Sequence, residues 1–555
     1  MGIFNKVYGN KPRRNAFNLS YSVKTTMEMG KLYPIAIQEM VPGDTFKLGN
    51  EVVINLQPMN APAYINLNWY CYAFFVPYRV LWDKWEEFIT KGQDGDTTIE
   101  LPKFERKQYI TDSAFRYNTL WDYFGFPTGV VPSGMSAPVD FPWRAYNLIW
   151  NEYFRDENLQ DPVGVDPEDK IVAFNTDVLN VNWGKDYFTA SLPFAQRGTA
   201  SALPVTADLS NIHSIGTVDD FDLIVPSSKG SDIYESACAK QVEVPGVSGG
   251  KFPITVLTDV DGNNLIDDDA VSRFSMNGRV NSSFVDQEIN GISADVEDLR
   301  MMFAIQRWQE INARGGVRYT EFLRAQYGTS PRDERLQRPE FIGGCKSPII
   351  VSNVLQQSNA ENNSASQKTL VGTKYGQGMT ADVNNLGSYY ASEFGVMMIV
   401  AFLRPKTSYM QGINRQWLKN NTFDFFNPLF TALGEQEVLN EEIFAKSGDS
   451  DPLTDKNSNR SIWGYEARYN EMRYNADLVT GKMRPAKQTG EASFDYWHLG
   501  RYFDQLPNLN GEFLKCNPDK RIFQATDEVG FICHIGNRIK ALRPLPYMAV
   551  PHLKA

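Results

Sequence analysis

Gly395 to Leu403 is an unbroken apolar run of nine residues, GVMMIVAFL. Its length suits a strand, and a strand that is apolar at every position has to be buried on both faces. Arg404-Pro405 ends it. A second strand is written in the opposite style. From Ile65 to Phe75 the residues Ile65, Leu67, Trp69, Cys71, Ala73 and Phe75 share one face, while Asn66, Asn68, Tyr70, Tyr72 and Phe74 share the other. Period-two alternation over eleven residues predicts a strand. The expected core therefore contains Ile65, Leu67, Trp69, Met397, Ile399 and Ala401, with Val396, Met398 and Val400 as the alternative inner set.

Further strands are expected at Lys31 to Gln38, Val52 to Gln57 and Arg538 to Met548. Helical spacing recurs in Leu81, Trp82, Trp85, Phe88 and Ile89, ending near Gly92. A second helix starts at Pro142, a favoured first-turn residue, and buries Tyr146, Ile149, Trp150, Tyr153 and Phe154 before Pro162. Two more are expected near 296–313 and 318–327. Many short strands with interspersed helices make the chain mainly β.

No apolar run approaches the roughly 20 residues of a membrane helix, so no membrane insertion is expected. The start of the chain, MGIFNKVYGNKPRRN, is basic and has no secretory apolar stretch. Its five cysteines are scattered and unpaired in spacing, which predicts reduced thiols rather than a zinc site or a disulfide framework.

Charge is distributed unevenly. Residues 205–298 hold 17 Asp and Glu against five Lys and Arg, a net of −12; the whole chain is −11, so the other 461 residues sum to +1. This stretch has no Trp and contains hairpin-like runs such as Pro253 to Ile266. It reads as a β-rich, solvent-facing insertion, with a disordered acidic loop as the plainer alternative. The expected division is 1–204 and 299–555 as two parts of one domain, interrupted by 205–298.

Catalytic motifs fail on context. Gly246-Val247-Ser248-Gly249-Gly250 fits G-x-S-x-G, but a strand rather than a helix follows it. Asp259, Asp261 and Asp267 form a weak calcium candidate, since an EF-hand needs Gly and Glu where Asn264 and Ala270 stand. None of the four histidines is paired at metal spacing. No cofactor or enzymatic activity is expected.

Basic segments carry more information. Lys6, Lys11, Arg13 and Arg14 form an N-terminal arm. Between Arg300 and Arg338 eight arginines, among them Arg307, Arg314, Arg318 and Arg324, interleave with Trp308, Tyr319, Phe322 and Tyr327. The tail after Glu528 carries Arg538, Lys540 and Arg543 and no acid. Arginine with aromatics holds single-stranded DNA by phosphate contact and base stacking. For the segment from Arg300 to Arg338 the plainer reading makes the arginines subunit salt bridges and the aromatics core.

Four stretches, Leu32 to Leu48, Tyr70 to Phe88, Phe141 to Pro162 and Gly395 to Glu442, closely resemble, in the same order, the major capsid protein of the Microviridae, most of all its gokushovirus branch. The resemblance implies a single eight-stranded antiparallel jelly roll with long loops. It implies about sixty copies in a T=1 icosahedral shell around circular single-stranded DNA. It further implies a small basic DNA-binding protein, an internal scaffolding protein, a DNA pilot protein, a host surface receptor met by the insertion, assembly in the bacterial cytoplasm and residence in the virion. Two other classes are weighed beside it. A carbohydrate-binding or carbohydrate-cleaving β-sandwich would suit the aromatic content, but a convincing acid pair is absent. A dedicated nucleic-acid-binding module conflicts with the net charge of −11.

Overall fold

The computed structural model describes residues 13–92, 98–103, 117–128, 138–165, 177–198, 296–316, 318–330, 332–355, 374–447 and 455–547, with short strands at 206–207, 236–243, 251–258, 292–293, 360–361 and 368–369. The chain divides into two compact units, one of residues 1–200 and 306–555, the other of residues 201–305.

In the larger unit ten strands form two antiparallel sheets. They are β1 (Asn15–Asn18), β2 (Tyr21–Met27), β3 (Tyr33–Met40), β4 (Thr45–Leu56), β5 (Leu67–Pro77), β6 (Glu340–Pro348), β7 (Val351–Leu355), β8 (Lys374–Tyr390), β9 (Gly395–Pro405) and β10 (Phe531–Arg543). One sheet runs β1–β10–β4–β8–β7, with β2 continuing the edge formed by β1 on β10. The other runs β6–β5–β9–β3.

The two sheets share a core. From β4 and β10 it takes Phe46, Leu48, Val52, Ile54, Ile535 and Ile539; from β5 and β9 it takes Leu67, Trp69, Cys71, Phe75, Met397, Ile399 and Ala401. Ile65 packs against it partly buried. The expected core residues are thus the inner set, and Val396, Met398 and Val400 point the other way. That second face is buried as well, because α1 (Phe141–Tyr153) and the segment after β5 cover it with Tyr146, Ile149, Trp82 and Trp143. Two covered faces explain why β9 is apolar from Gly395 to Leu403. A third cluster, including Tyr409, Val438, Trp463 and Phe513, gives the long connection from β9 to β10 its own packing.

Two irregularities are readable in the pairing. Between Ile399 and Val400 the register on β3 steps from Ala36 to Pro34, leaving Ile35 as a bulge. Pro34 is tolerated because β3 is an edge strand. On β8 the register steps between Asn385 and Gly387, and Gly387 takes φ +109°, open to glycine at little cost.

Several boundaries differ from those expected. The helix foreseen from Leu81 to Ile89 is two short helices, Tyr78–Leu81 and Trp85–Thr90. Trp82 leaves helical geometry between them, at φ −152°, and drops its indole into the core. The last strand runs Phe531–Arg543 rather than Arg538 to Met548, since Pro544 cannot continue the ladder. The helices α2 (Val296–Gly315) and α3 (Tyr319–Tyr327) lie close to their expected places.

Candidate nucleic-acid interface

Among the described residues, the sheet of β1, β2, β4, β7, β8 and β10 buries only its inner face. Alternation along β10 buries Phe531, Cys533, Ile535, Asn537, Ile539 and Ala541 and exposes Ile532, His534, Arg538, Lys540 and Leu542. Register then decides what stands beside the exposed set. Lys540 is opposite Lys47 of β4 on one side and Asn18 of β1 on the other; His534 is opposite Lys24 of β2 and Val53 of β4. Adjacent lysines on one face repel, so this face favours a counter-charge from outside the sheet.

Arg538 lies across β4. Its Nε is 3.3 Å from Glu51, with both side chains about half exposed. A Cβ on Gly49 would come within 3.2 Å of that guanidinium and 3.0 Å of the Asn384 carbonyl, so glycine makes room for Arg538 to lie over the strand. Arg14 reaches the same sheet from the N-terminal arm, its guanidinium 5.3 Å from the ring centre of Tyr390. Among the described outward positions of β2, β4, β8 and β10, Lys24, Lys47, Arg538 and Lys540 face a single acid, Glu51. Two basic segments about 500 residues apart in sequence therefore meet on one face.

The other expected residues divide. Arg543 is a structural cation: its Nε donates to the fully buried Asp44 at 3.0 Å, its Nη2 to the Glu39 carbonyl at 2.6 Å, and it stacks over Phe46. Arg318 ties α3 to the end of α1, through Glu157 at 2.8 Å and the carbonyls of Asn151 and Arg155. Arg314 pairs with Glu435. These three are committed inside the subunit, which for Arg314 and Arg318 is the plainer reading. Arg13, Arg300, Arg307 and Arg324 are exposed, as are Trp308, Tyr319 and Tyr327. Lys6, Lys11, Asp259, Asp261, Asp267 and the Gly246–Gly250 motif lie outside the described residues. Among the described residues no group of three His, Cys, Asp or Glu side chains is arranged to hold a metal, and no helix is long and apolar enough to cross a membrane.

Sequence reasoning missed Lys24, Lys47, Gly49 and Tyr390. Their signal is weak: outward lysines on alternating strands look like ordinary solvated positions until the register is known.

The larger unit is thus a β-sandwich with long packed loops, many exposed aromatics and, among the described residues, one sheet face lined by basic side chains. Comparison with known proteins fixes the class. The capsid protein (F protein) family matches residues 5–553, and the chain belongs to it. Capsid protein VP1 of Chlamydia phage 1 is 32% identical, the alignment covering 98% of this chain and 96% of that one. VP1 of Bdellovibrio phage phiMH2K is 30% identical over 91% and 88% of the two chains, and VP1 of Spiroplasma virus 4 is 26% identical over 99% and 97%. These relatives place the chain among the gokushovirus-like major capsid proteins of the Microviridae, structural proteins of the virion.

Proposed function

We propose that this protein builds a T=1 icosahedral shell of about sixty copies, with the bare basic sheet face turned towards circular single-stranded DNA. The observation that carries the inward assignment is the meeting of Arg14, Lys24, Lys47, Arg538 and Lys540 on one solvated sheet. Strand order supports the rest of the architecture. The pairings β2–β10–β4–β8 and β3–β9–β5–β6 have the order of a single eight-stranded jelly roll, with β1 and β7 as additions to one sheet. The role is assembly and not catalysis.

The acidic stretch 205–298 is assigned to the outer surface as a separate insertion between 1–204 and 299–555, where it contacts the host receptor. Acidic chain facing inward would repel DNA, whereas outside it keeps particles apart. Outside this stretch the chain sums to only +1. The bulk of the genome charge therefore calls for cations or a small basic DNA-binding protein. An internal scaffolding protein and a DNA pilot protein complete the expected partners, with assembly in the bacterial cytoplasm.

The test is to replace residues 210–290 by a short Gly-Ser linker in an infectious clone and to image the particles by electron microscopy. Isometric particles that adsorb poorly to host cells are expected. Normal adsorption would overturn the receptor role; density for the native insertion inside the shell would overturn the orientation of the whole subunit.

A further inference from the structure

We propose that the segment from Ile413 to Leu433 is a self-association surface, by which each copy of the chain anchors on a second copy. This rests on the capsid reading and names the contact that the reading leaves open. Six large apolar side chains of this segment are more than half exposed: Trp417 (75% exposed), Phe423, Phe425, Phe426, Leu429 (82%) and Leu433.

Their exposure is enforced by the backbone. The segment is a chain of three 3₁₀ turns, Arg415–Trp417, Thr422–Asp424 and Pro428–Ala432, each preceded by an asparagine. Asn414 Oδ1 accepts from the Gln416 amide at 3.0 Å and Asn427 Oδ1 from the Leu429 amide at 3.0 Å. The Asp424 carboxylate accepts from the amides of Asn420 and Asn421, both at 2.8 Å. From below, the Tyr469 hydroxyl donates to the Phe425 carbonyl at 3.1 Å, and its ring lies against Phe426. Arg415 fastens the start of the segment to the buried Glu442 at 3.0 Å. With the backbone held at so many points, the rings cannot fold in to cover themselves. The ordering entropy that an interface must otherwise supply is already spent in the subunit.

Size and charge choose the occupant. The four aromatics, at these exposures and ~200 Å² each, offer on the order of 500 Å². The two leucines bring the surface near the ~800 Å² per partner of a standard protein interface, and above the ~300–600 Å² of the largest patch on an ordinary monomer. Aromatic anchors with few charges are the composition of an interface centre. Within Ile413–Leu433 the charged residues are Arg415, Lys419 and Asp424. Arg415 and Asp424 are engaged as above, and the Lys419 ammonium lies over the Phe425 ring at 4.7 Å. Such a surface does not suit a polyanion. It suits another protein, and for a chain of a family whose members form multi-copy shells the neighbour present in every particle is a second copy.

The experiment compares the full wild-type chain, produced with its natural assembly partners, with the double variant Trp417→Glu/Leu429→Glu. Both positions are so exposed that the variant is expected to keep the wild-type circular dichroism spectrum and melting temperature. Its yield of sedimenting particles should fall at least tenfold, with unassembled subunits accumulating. Wild-type particle yield from the variant would overturn the proposal. Failure of the wild-type chain itself to form particles would instead count against the capsid reading. A second variant, Leu429→Cys, is treated in intact particles with a short bis-maleimide. Chain–chain dimers absent from the parent are the expected product, and linkage solely to a different virion polypeptide, or no new linkage, would overturn the choice of partner.

Discussion

The side-chain amide of Asn537 donates to the carbonyl of Ile35 at 2.8 Å, across the gap between the two sheets. Ile35 is the bulged residue of β3, and Asn537 is a fully buried polar residue on β10 whose Oδ1 also receives the Asn50 amide at 3.4 Å. The bulge takes one carbonyl out of the ladder, and the asparagine supplies the donor it needs. Asn537→Leu is expected to leave the Ile35 carbonyl and the Asn50 amide without partners, at a cost of about 1–3 kcal/mol. Urea unfolding of the subunit measures it; an unchanged midpoint would show that the link contributes nothing.

A second buried polar contact anchors the covering helix. Asp140 precedes α1, and Arg144 Nε donates to its carboxylate at 2.9 Å, with both side chains almost wholly out of solvent. Arg144 Nη1 also donates to the Leu81 carbonyl at 3.2 Å, tying α1 to the segment after β5. Burial pushes the Asp140 carboxyl above its ordinary range, and Arg144 opposes that shift. Arg144→Ala should cost roughly 3–5 kcal/mol by stranding a buried carboxylate, whereas Asp140→Ala/Arg144→Met together should cost less than Arg144→Ala alone. Thermal unfolding of both variants decides it; equal losses would refute the pairing argument.

The central strands were legible because each obeys a local rule. β5 alternates and β9 is apolar from Gly395 to Leu403, and those two patterns correctly divide Met397, Ile399 and Ala401 from the residues facing α1 once the second layer is seen. Pro142 and the helical spacing of Tyr146, Ile149 and Trp150 located α1. The edge strands β1 and β2 were not legible, because Asn15 to Met27 is mixed in polarity and is ordered by pairing with β10, far along the chain. The same distance hid the fate of the arginines. Nothing near Arg543 or Arg318 in sequence announces Asp44 or Glu157, so a cation fixed inside the subunit reads the same as one awaiting a phosphate.

That distinction yields a test of the basic face. Arg538→Ala/Lys540→Ala should weaken binding of the full chain to a single-stranded oligonucleotide and flatten its salt dependence. At ~0.7 in the log–log slope per phosphate contact, the two residues together correspond to roughly 1.4. Arg543→Ala should lower thermal stability while leaving the slope in place. Fluorescence anisotropy across a salt series reads both, and an unchanged slope in the double variant would remove this face as a DNA contact.

The last prediction concerns pH. Glu466 pairs across from Gln436 in the hairpin of Glu435–Leu439 with Ile462–Ala467, and its Oε2 accepts from the Ala467 amide at 3.0 Å and from Asn470 Nδ2 at 3.1 Å. Burial, reinforced by the nearby Glu435 carboxylate, pushes its carboxyl up to about 7 from 4.5, against the opposing effects of the Ala467 amide, Lys185 and Arg314. A carboxyl raised on folding contributes stability that is full below its unfolded pKa of 4.5 and is lost as pH rises through 7. The wild-type subunit should therefore lose on the order of 3 kcal/mol between pH 4.5 and 8 through this group alone. Glu466→Gln keeps the neutral form at every pH and should unfold with a flatter dependence over that window, becoming the more stable of the two above pH 7. Parallel pH–stability curves for the two proteins would show that Glu466 is ionised throughout and that its burial has been overcome by its partners.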